Sequence, residues 1–484
     1  MNVINLLFRI VLTTLIITLT FLASCIWYIY NLDTSNVVFD DIPYKDFNVR
    51  FPKPGQKLKV AFTVAGTRGD IQPMALIAQQ FKKDGHSVVL TIRERYKNLV
   101  LNTFGFKDNE IVWMPEELET EVRLGDPIRR SNFVVQTYNF LKYSVELLEK
   151  YLVAFEDSRF DDIDLVVYAD ISATFGSLLG IRHKAPQMLI KFVPWVGTFT
   201  ELSQIKDCKS EFLNWFSFSP FIFGKIYFEH SIYHQYQEKY GVDPIPLSSM
   251  YFGKLKHQIP TYNAFSTILY PKLSKAPPWY RYVGPLIPKN PEKEYEGIEK
   301  GLSEFINAGK DKVQIYVGFG SFSIQEYFGN DSNSIINIFY NTFRGMNAHV
   351  VFLNSSFGAS PNSEAGRNPN WFFAKELPHA WVFKHVDLII YHGGAGTVQT
   401  AALSGKPSLC IPMFDEQTIN ANTIADIGLG IVLQNWNLSE TSLERSITEA
   451  LSLPNVQKKS ETLQKDMWEA RDIYKDMLHW IGYK

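Results

Sequence analysis

The stretch from Tyr391 to Gln417, YHGGAGTVQTAALSGKPSLCIPMFDEQ, constrains the fold more than any other part of the chain. An apolar run, 386–390, ends in the glycine-rich group 392–397, and a second apolar run, 408–411, leads to the acidic-amide group 415–417. This order predicts a strand, a glycine turn, a helix, a strand and an acidic loop. Glycine lets a backbone approach a phosphate, and a helix N-terminus presents unpaired N–H groups, so the stretch predicts a seat for a diphosphate.

Composition narrows the class of protein. A chain of 484 residues is expected to form two domains. The net charge of −2 gives no electrostatic case for binding nucleic acid. Cys25, Cys208 and Cys410 are too few for a disulfide framework or a dedicated zinc site. No His, Asp or Glu cluster has metal-ligand spacing, so we expect neither a metal nor a cofactor.

The N-terminus predicts a membrane anchor. Residues 10–30 contain no charged side chain and are long enough to span a bilayer. We therefore predict an anchor at 1–30 and a polar tether at 31–57; a cleaved signal peptide is the alternative for the same stretch. Arg9 before the run and aspartates after it favour a cytoplasmic N-terminus, and the side of the membrane that the body faces stays open.

Apolar runs recur along the rest of the chain, separated by helix-like sequence. The runs 59–64 and 312–317 each lead into a glycine-bearing turn, 66–70 and 318–321. Strands that alternate with helices predict an α/β fold with parallel sheets, in which ligands bind beyond the carboxyl ends of the strands. The aromatic-rich segment 195–251 predicts helices whose aromatic faces form core, line an apolar pocket or rest on a membrane. The predicted domains are an N-terminal domain at 58–285, a linker at 286–311, a C-terminal domain at 312–460 and a helix at 461–484 that packs back on the N-terminal domain.

Side chains that can bind a ligand or take part in a reaction lie at these turns. His392 is predicted to donate to a phosphate oxygen, although a loop histidine can also cap a backbone group. Gly394, Gly396 and Thr397 would contribute N–H groups, and Thr397 would also serve as the cap of its own helix. Asp70 has two interpretations, a helix cap and a base that takes a proton from an acceptor hydroxyl.

The acidic loop also has two interpretations. Glu416 and Gln417 offer acceptors and an amide, which suit sugar hydroxyls because each hydroxyl both donates and accepts. The alternative is a solvated loop. The position after a strand, close in sequence to the glycine turn, favours sugar binding.

Four motifs together resemble a known family. GTRGDIQP at 66–73, GFGS at 318–321, LPHAWVF at 377–383 and HGGAGT at 392–397 resemble UDP-sugar glycosyltransferases with two Rossmann-like domains. The similar branch contains the sterol 3-beta-glucosyltransferases and the antibiotic and macrolide glycosyltransferases, and the similarity runs from about residue 58 to 433. The resemblance implies a GT-B fold, with two Rossmann-like parallel-sheet domains facing across a cleft, here preceded by one transmembrane helix.

The resemblance also implies roles for individual residues. Asp70 matches the catalytic base, and Gly66, Thr67 and Arg68 would lie near the acceptor and the diphosphate. The other matching positions are Ser321, His392, Gly394, Gly396 and Thr397 for the diphosphate, Phe373, Ala374 and Leu377 for the nucleobase, and Glu416 and Gln417 for the sugar. The chain departs from the family pattern at Tyr391, Val398 and Glu416, and the longer acid at Glu416 leaves the choice of hexose open.

The expected activity is an inverting, metal-independent transfer of a hexose, glucose first among them, from a UDP-sugar to a lipophilic alcohol such as a sterol. The UDP-sugar is then a co-substrate, and the membrane is a partner through the anchor. The alternatives are an inactive nucleotide- or lipid-binding module, a transferase for another lipid or a secondary metabolite, and an epimerase acting on UDP-GlcNAc.

Overall fold

The computed structural model describes most of the chain after residue 42. The described residues are 43–44, 47–64, 66–114, 153–154, 156–169, 172–192, 236, 238–241, 258–270, 278–287, 301–320, 323–359, 362–375, 377–413, 415–465 and 467–483. They fall in one compact unit that begins at Pro43. In this part of the chain no helix is long and apolar enough to cross a membrane, and the predicted anchor at 10–30 lies outside it.

Two parallel sheets organise the unit. The first has the order β3-β2-β1-β4-β5-β6-β7, and the second has the order β10-β9-β8-β11-β12-β13. All of these neighbours pair in parallel, so the predicted α/β architecture with two Rossmann-like domains is confirmed. The strands are β1 (Lys59–Thr63), β2 (Ser87–Arg93), β3 (Ile111–Met114), β4 (Leu165–Ala169), β5 (Gln187–Lys191), β6 (Thr261–Asn263), β7 (Tyr280–Tyr282), β8 (Val313–Gly318), β9 (Ala348–Leu353), β10 (Trp371–Ala374), β11 (Leu388–Tyr391), β12 (Ser408–Cys410) and β13 (Gly430–Val432).

Helices connect the strands and cover the sheets. They are α1 (Arg68–Lys83), α2 (Ala173–His183), α3 (Leu302–Ala308), α4 (Ile324–Phe328), α5 (Ser332–Gly345), α6 (Asn354–Phe357), α7 (His379–His385), α8 (Ala395–Leu403), α9 (Asp415–Asp426), α10 (Glu440–Leu451), α11 (Val456–Leu463) and α12 (Ala470–Trp480). The strands β1, β4, β8 and β11 are almost entirely buried, as their continuous apolar runs predict for strands covered on both faces.

The C-terminal helix, α12, packs against the first sheet. Its buried residues Ile473, Tyr474, Met477 and Leu478 recur at helical spacing and join the core formed by β1, β2 and α1. Asp476 holds the helix to the sheet edge, since its carboxylate pairs with Arg281 at 3.1 Å and accepts from Tyr262 at 2.9 Å. The chain therefore crosses twice between the two sheets.

Two boundaries differ from the sequence expectation. Tyr44, expected in a tether, is buried, and its hydroxyl donates to the Gln187 carbonyl at 2.5 Å. Folded sequence thus begins before residue 58. Within the expected linker, α3 forms a helix whose Leu302 and Ile306 are buried in the core of the second sheet. The aromatic-rich segment 195–251 lies almost wholly outside the described residues.

Candidate active site

The site lies where each sheet reverses its strand order. In the first sheet that point is between β1 and β4, and in the second it is between β8 and β11. The loop after β1 opens α1, and the loop after β11 opens α8. Ligands of open parallel sheets bind at such switch points, beyond the carboxyl ends of the strands.

The N-termini of α1 and α8 meet across the two sheets. A Cβ added at Gly396 would lie 3.0 Å from the Gly69 Cα, and one added at Gly69 would lie 3.5 Å from the Gly396 Cα. The contact at Gly396 is tighter than a side chain normally allows, so glycine at that position lets the two helices come this close. The contact brings the predicted base on α1 and the predicted diphosphate seat on α8 into one cleft.

Asp70 occupies the first turn of α1. Thr67 is the N-cap, and its backbone N–H donates to Asp70 Oδ2 at 2.8 Å in a capping box. The helix therefore starts at Arg68, and Pro73 lies inside it. Because Asp70 forms the cap interaction, the carboxylate has a fixed position at the cleft, and its two predicted roles are compatible.

Loss of solvent changes the acidity of Asp70. Burial raises its pKa from 3.8 to about 6, although hydrogen bonds from Thr67 and the charge of Arg93 lower it. The residue as a whole is half-buried. A carboxylate with a raised pKa is a stronger base than an ordinary aspartate. Gly66 leaves the room for it, since a Cβ there would lie 2.2 Å from Asp70 Oδ2.

Arg68 on α1 affects the acidity of two groups of the second sheet. Burial raises the pKa of Tyr316 on β8, and the charge of Arg68 opposes that increase. Burial lowers the pKa of His379 on α7 to about 3, and Arg68 and His392 lower it further. The Tyr316 hydroxyl lies 3.0 Å from His379 Nε2. A cation from the first sheet therefore influences groups of the second.

His392 follows β11 and is enclosed by glycines. It is 8% exposed, and a Cβ added at Gly394 or at Gly320 would lie within 2.6 Å of its ring. Burial lowers the pKa of His392 to about 4, so the ring is neutral at physiological pH. Its Nδ1 is buried without a partner in the described part of the chain. A neutral imidazole in this place can donate one hydrogen bond without adding a charge.

The N-terminus of α8 presents free N–H groups. Gly394 is the N-cap, and the N–H groups of residues 394–397 have no acceptor among the described residues. Thr397 lies at the third helical position and does not cap the helix, so that part of the expectation is wrong. Unpaired N–H groups and the positive end of the helix dipole favour a bound anion.

The acidic group is a helix start, not a loop. Residues 415–417 form the first turn of α9. Gln417 is 2% exposed, and its amide oxygen accepts from the Met413 N–H at 2.9 Å while its amide nitrogen lies 3.4 Å from the Tyr327 hydroxyl. Ser321 and the side chain of Glu416 lie outside the described residues.

The predicted nucleobase residues occupy different environments. Phe373 is half-buried and stacks on Phe352 at 4.9 Å. Ala374 and Leu377 are buried in the apolar core of the second sheet, because the strand β10 and the start of α7 pack inward there. These two residues have almost no exposed surface.

Two polar residues near the cleft escaped the sequence analysis. Asn420 on α9 donates to the Gly393 carbonyl at 2.9 Å, and Gln399 on α8 donates to the Phe192 carbonyl at 3.1 Å. Asn420 stands three residues after Gln417, so the helical period would have found it if 415–417 had been recognised as a helix start. Gln399 carries no such signal.

Comparison with known proteins agrees with this geometry. Residues 60–145 match the glycosyltransferase family 28 N-terminal domain, and residues 363–472 match the C-terminal domain of erythromycin biosynthesis protein CIII-like proteins. The chain is 24% identical to sterol 3-beta-glucosyltransferases of Debaryomyces hansenii and Vanderwaltozyma polyspora, over 89% and 88% of its length. It spans only 27% and 34% of those two proteins.

Solved structures share the fold. The calicheamicin glycosyltransferase CalG4 is 19% identical with a TM-score of 0.61, covering 88% of this chain and 99% of that one. The spinosyn rhamnosyltransferase SpnG, complexed with thymidine diphosphate, is 16% identical with a TM-score of 0.57, covering 87% of this chain and 99% of that one. The chain thus has the GT-B fold, and its matches to glycosyltransferase family models and to sterol 3-beta-glucosyltransferases confirm the predicted resemblance.

Proposed function

We propose that this protein transfers a hexose, most simply glucose, from a UDP-sugar to the hydroxyl of a lipophilic alcohol such as a sterol. The observation that carries the proposal is the contact of Gly69 with Gly396, which brings a buried carboxylate and a free helix N-terminus to one cleft. The names of the sterol 3-beta-glucosyltransferases support the choice of sugar and acceptor.

The two sides of the cleft have different roles in the proposed reaction. Asp70 takes the proton of the acceptor hydroxyl as its oxygen forms a bond to the anomeric carbon of the sugar. The bond from that carbon to the diphosphate oxygen breaks, and UDP leaves with the electron pair. The proton stays on Asp70 until it is released to water. In this proposal the base and the leaving group lie on opposite sides of the sugar, and a single displacement then inverts the anomeric carbon.

The leaving diphosphate gains negative charge as the bond breaks. The N–H groups of residues 394–397 and the positive end of α8 stabilise that charge, and Arg68 adds a full positive charge from the N-terminal domain. Neutral His392 adds a hydrogen bond. We propose that these groups provide the electrostatic stabilisation without a metal ion. We also propose that residues 10–30 hold the enzyme on the membrane in which a lipophilic acceptor dissolves.

The test uses the purified full chain with labelled UDP-glucose and a sterol in mixed micelles. We expect a sterol glucoside, detected by mass spectrometry, and a loss of at least about 1,000-fold in kcat for Asp70→Asn, which keeps the cap but removes the base. Conversion by Asp70→Asn at the wild-type rate would exclude Asp70 as the base. Binding of UDP-glucose with no product from any lipid alcohol would instead support a non-catalytic binding module.

A further inference from the structure

A buried amide fixes the glycine loop in front of α8. Asn420 is 1% exposed, and its Nδ2 donates to the Gly393 carbonyl oxygen at 2.9 Å. A buried amide that bonds a backbone carbonyl restricts the peptide to which that carbonyl belongs. The peptide in question joins Gly393 to Gly394, the N-cap of α8.

The Gly393 carbonyl fixes which way the amide points. A carbonyl oxygen only accepts, so the Asn420 atom that faces it must be the nitrogen. The amide oxygen of Asn420 then accepts from the buried Tyr270 hydroxyl, which comes from the segment after β6 of the first sheet, 150 residues away in sequence. Tyr270 therefore gives the amide a second hydrogen bond that agrees with this orientation.

The geometry of a trans peptide carries this constraint to the cleft. The C=O and the N–H of one trans peptide point in opposite directions. With the Gly393 carbonyl held toward Asn420, the Gly394 N–H points away from α9, and it has no acceptor among the described residues. The conformation needs glycine, since Gly393 has a φ of +91° and a Cβ there would lie 2.7 Å from the Gln417 carbonyl oxygen.

We propose that Asn420, supported by Tyr270, is a positioning residue that aims the Gly394 N–H at the diphosphate of the donor. This role rests on the proposed function, because it requires that a nucleoside diphosphate binds at α8. Without the amide, the Gly393–Gly394 peptide is free to rotate, and the N–H that should meet the phosphate is lost from the site.

The test compares Asn420→Leu with Asn422→Leu. Both change an amide on α9 to an uncharged side chain of similar size, but only Asn420 reaches the glycine loop, and leucine has no hydrogen to donate to the carbonyl. We expect UDP affinity, measured by calorimetry, to fall about 10- to 100-fold in Asn420→Leu and to stay within about twofold in Asn422→Leu. Tyr270→Phe should reduce UDP affinity about three- to tenfold, since the amide of Asn420 then loses one of the hydrogen bonds that hold it.

The affinity for uridine distinguishes a loss of positioning from general damage to the nucleotide site. Uridine lacks the phosphates, so its affinity, measured by ligand-observed NMR, should be unchanged in Asn420→Leu and Tyr270→Phe. Equal losses for UDP and uridine, or wild-type UDP affinity in folded Asn420→Leu, would overturn the proposal. If Asn420→Leu does not fold, the milder Tyr270→Phe decides by the same comparison. Failure of the wild-type protein to bind UDP would refute the proposed function itself, which distinguishes the two failures.

Discussion

The close contact between Gly69 and Gly396 predicts how much a substitution at position 396 should reduce the rate. A methyl group at position 396 would have its carbon 3.0 Å from the Gly69 Cα, whereas carbon atoms pack best at about 3.5–4.0 Å. The methyl carbon is attached directly to the backbone of α8, and the Gly69 Cα belongs to the backbone of α1, so neither atom can rotate away from the other. The helices must separate by about 0.5–1 Å, and a misplacement of that size between reacting groups reduces the rate about 10- to 100-fold.

The assay is kcat/KM for glucosyl transfer by Gly396→Ala. Alanine is a better helix former than glycine by about 0.5–1 kcal/mol, which offsets part of the packing cost, so the variant should fold and melt cooperatively. Gly69→Ala is the matched control, because its added carbon would lie 3.5 Å from the Gly396 Cα, an ordinary contact. The loss of kcat/KM in Gly69→Ala should be several-fold smaller than the loss in Gly396→Ala. Wild-type kcat/KM in Gly396→Ala, or an equal loss in Gly69→Ala, would refute the argument.

Two further predictions concern acidity and the membrane. Because the pKa of Asp70 is about 6 and the base must be deprotonated, kcat/KM should fall about tenfold per pH unit below pH 6 and level off above it. The pKa values of His392, about 4, and His379, about 3, lie too low to produce that step, so a flat profile from pH 4.5 to 7 would contradict the role of Asp70. The full chain should remain in the membrane pellet after alkaline carbonate extraction, and complete release would contradict an anchor at residues 10–30.

The sequence predicts the elements whose signal is local. Continuous apolar runs at β1, β8 and β11 predict buried parallel strands, and glycine turns after them predict the places where ligands bind. The short strands β6 and β7 have no such runs; their sequences, TYN and YRY, become strands because neighbouring backbone pairs with them. Pairing of that kind depends on tertiary structure.

The candidate site likewise contains residues that local motifs predict and contacts that only the folded chain creates. The residue types at Asp70, His392 and Gly396 follow from motifs. The sequence predicts a loop at the first turn of α9, because Asp415, Glu416 and Gln417 are polar and follow an apolar run. The contacts of Tyr270 with Asn420 and of Gln399 with Phe192 join residues 150 and 207 positions apart, and only the folded chain brings them together.

The central claim is a single displacement between Asp70 and the N-terminus of α8. The anomeric configuration of the product tests it most directly, by the coupling constant of the anomeric proton in the NMR spectrum of the purified glucoside. UDP-glucose carries its glucose in the α configuration, so inversion predicts a β-glucoside from the wild-type protein and almost none from Asp70→Asn. An α-glucoside, or a β-glucoside formed at the full rate by Asp70→Asn, would contradict the account.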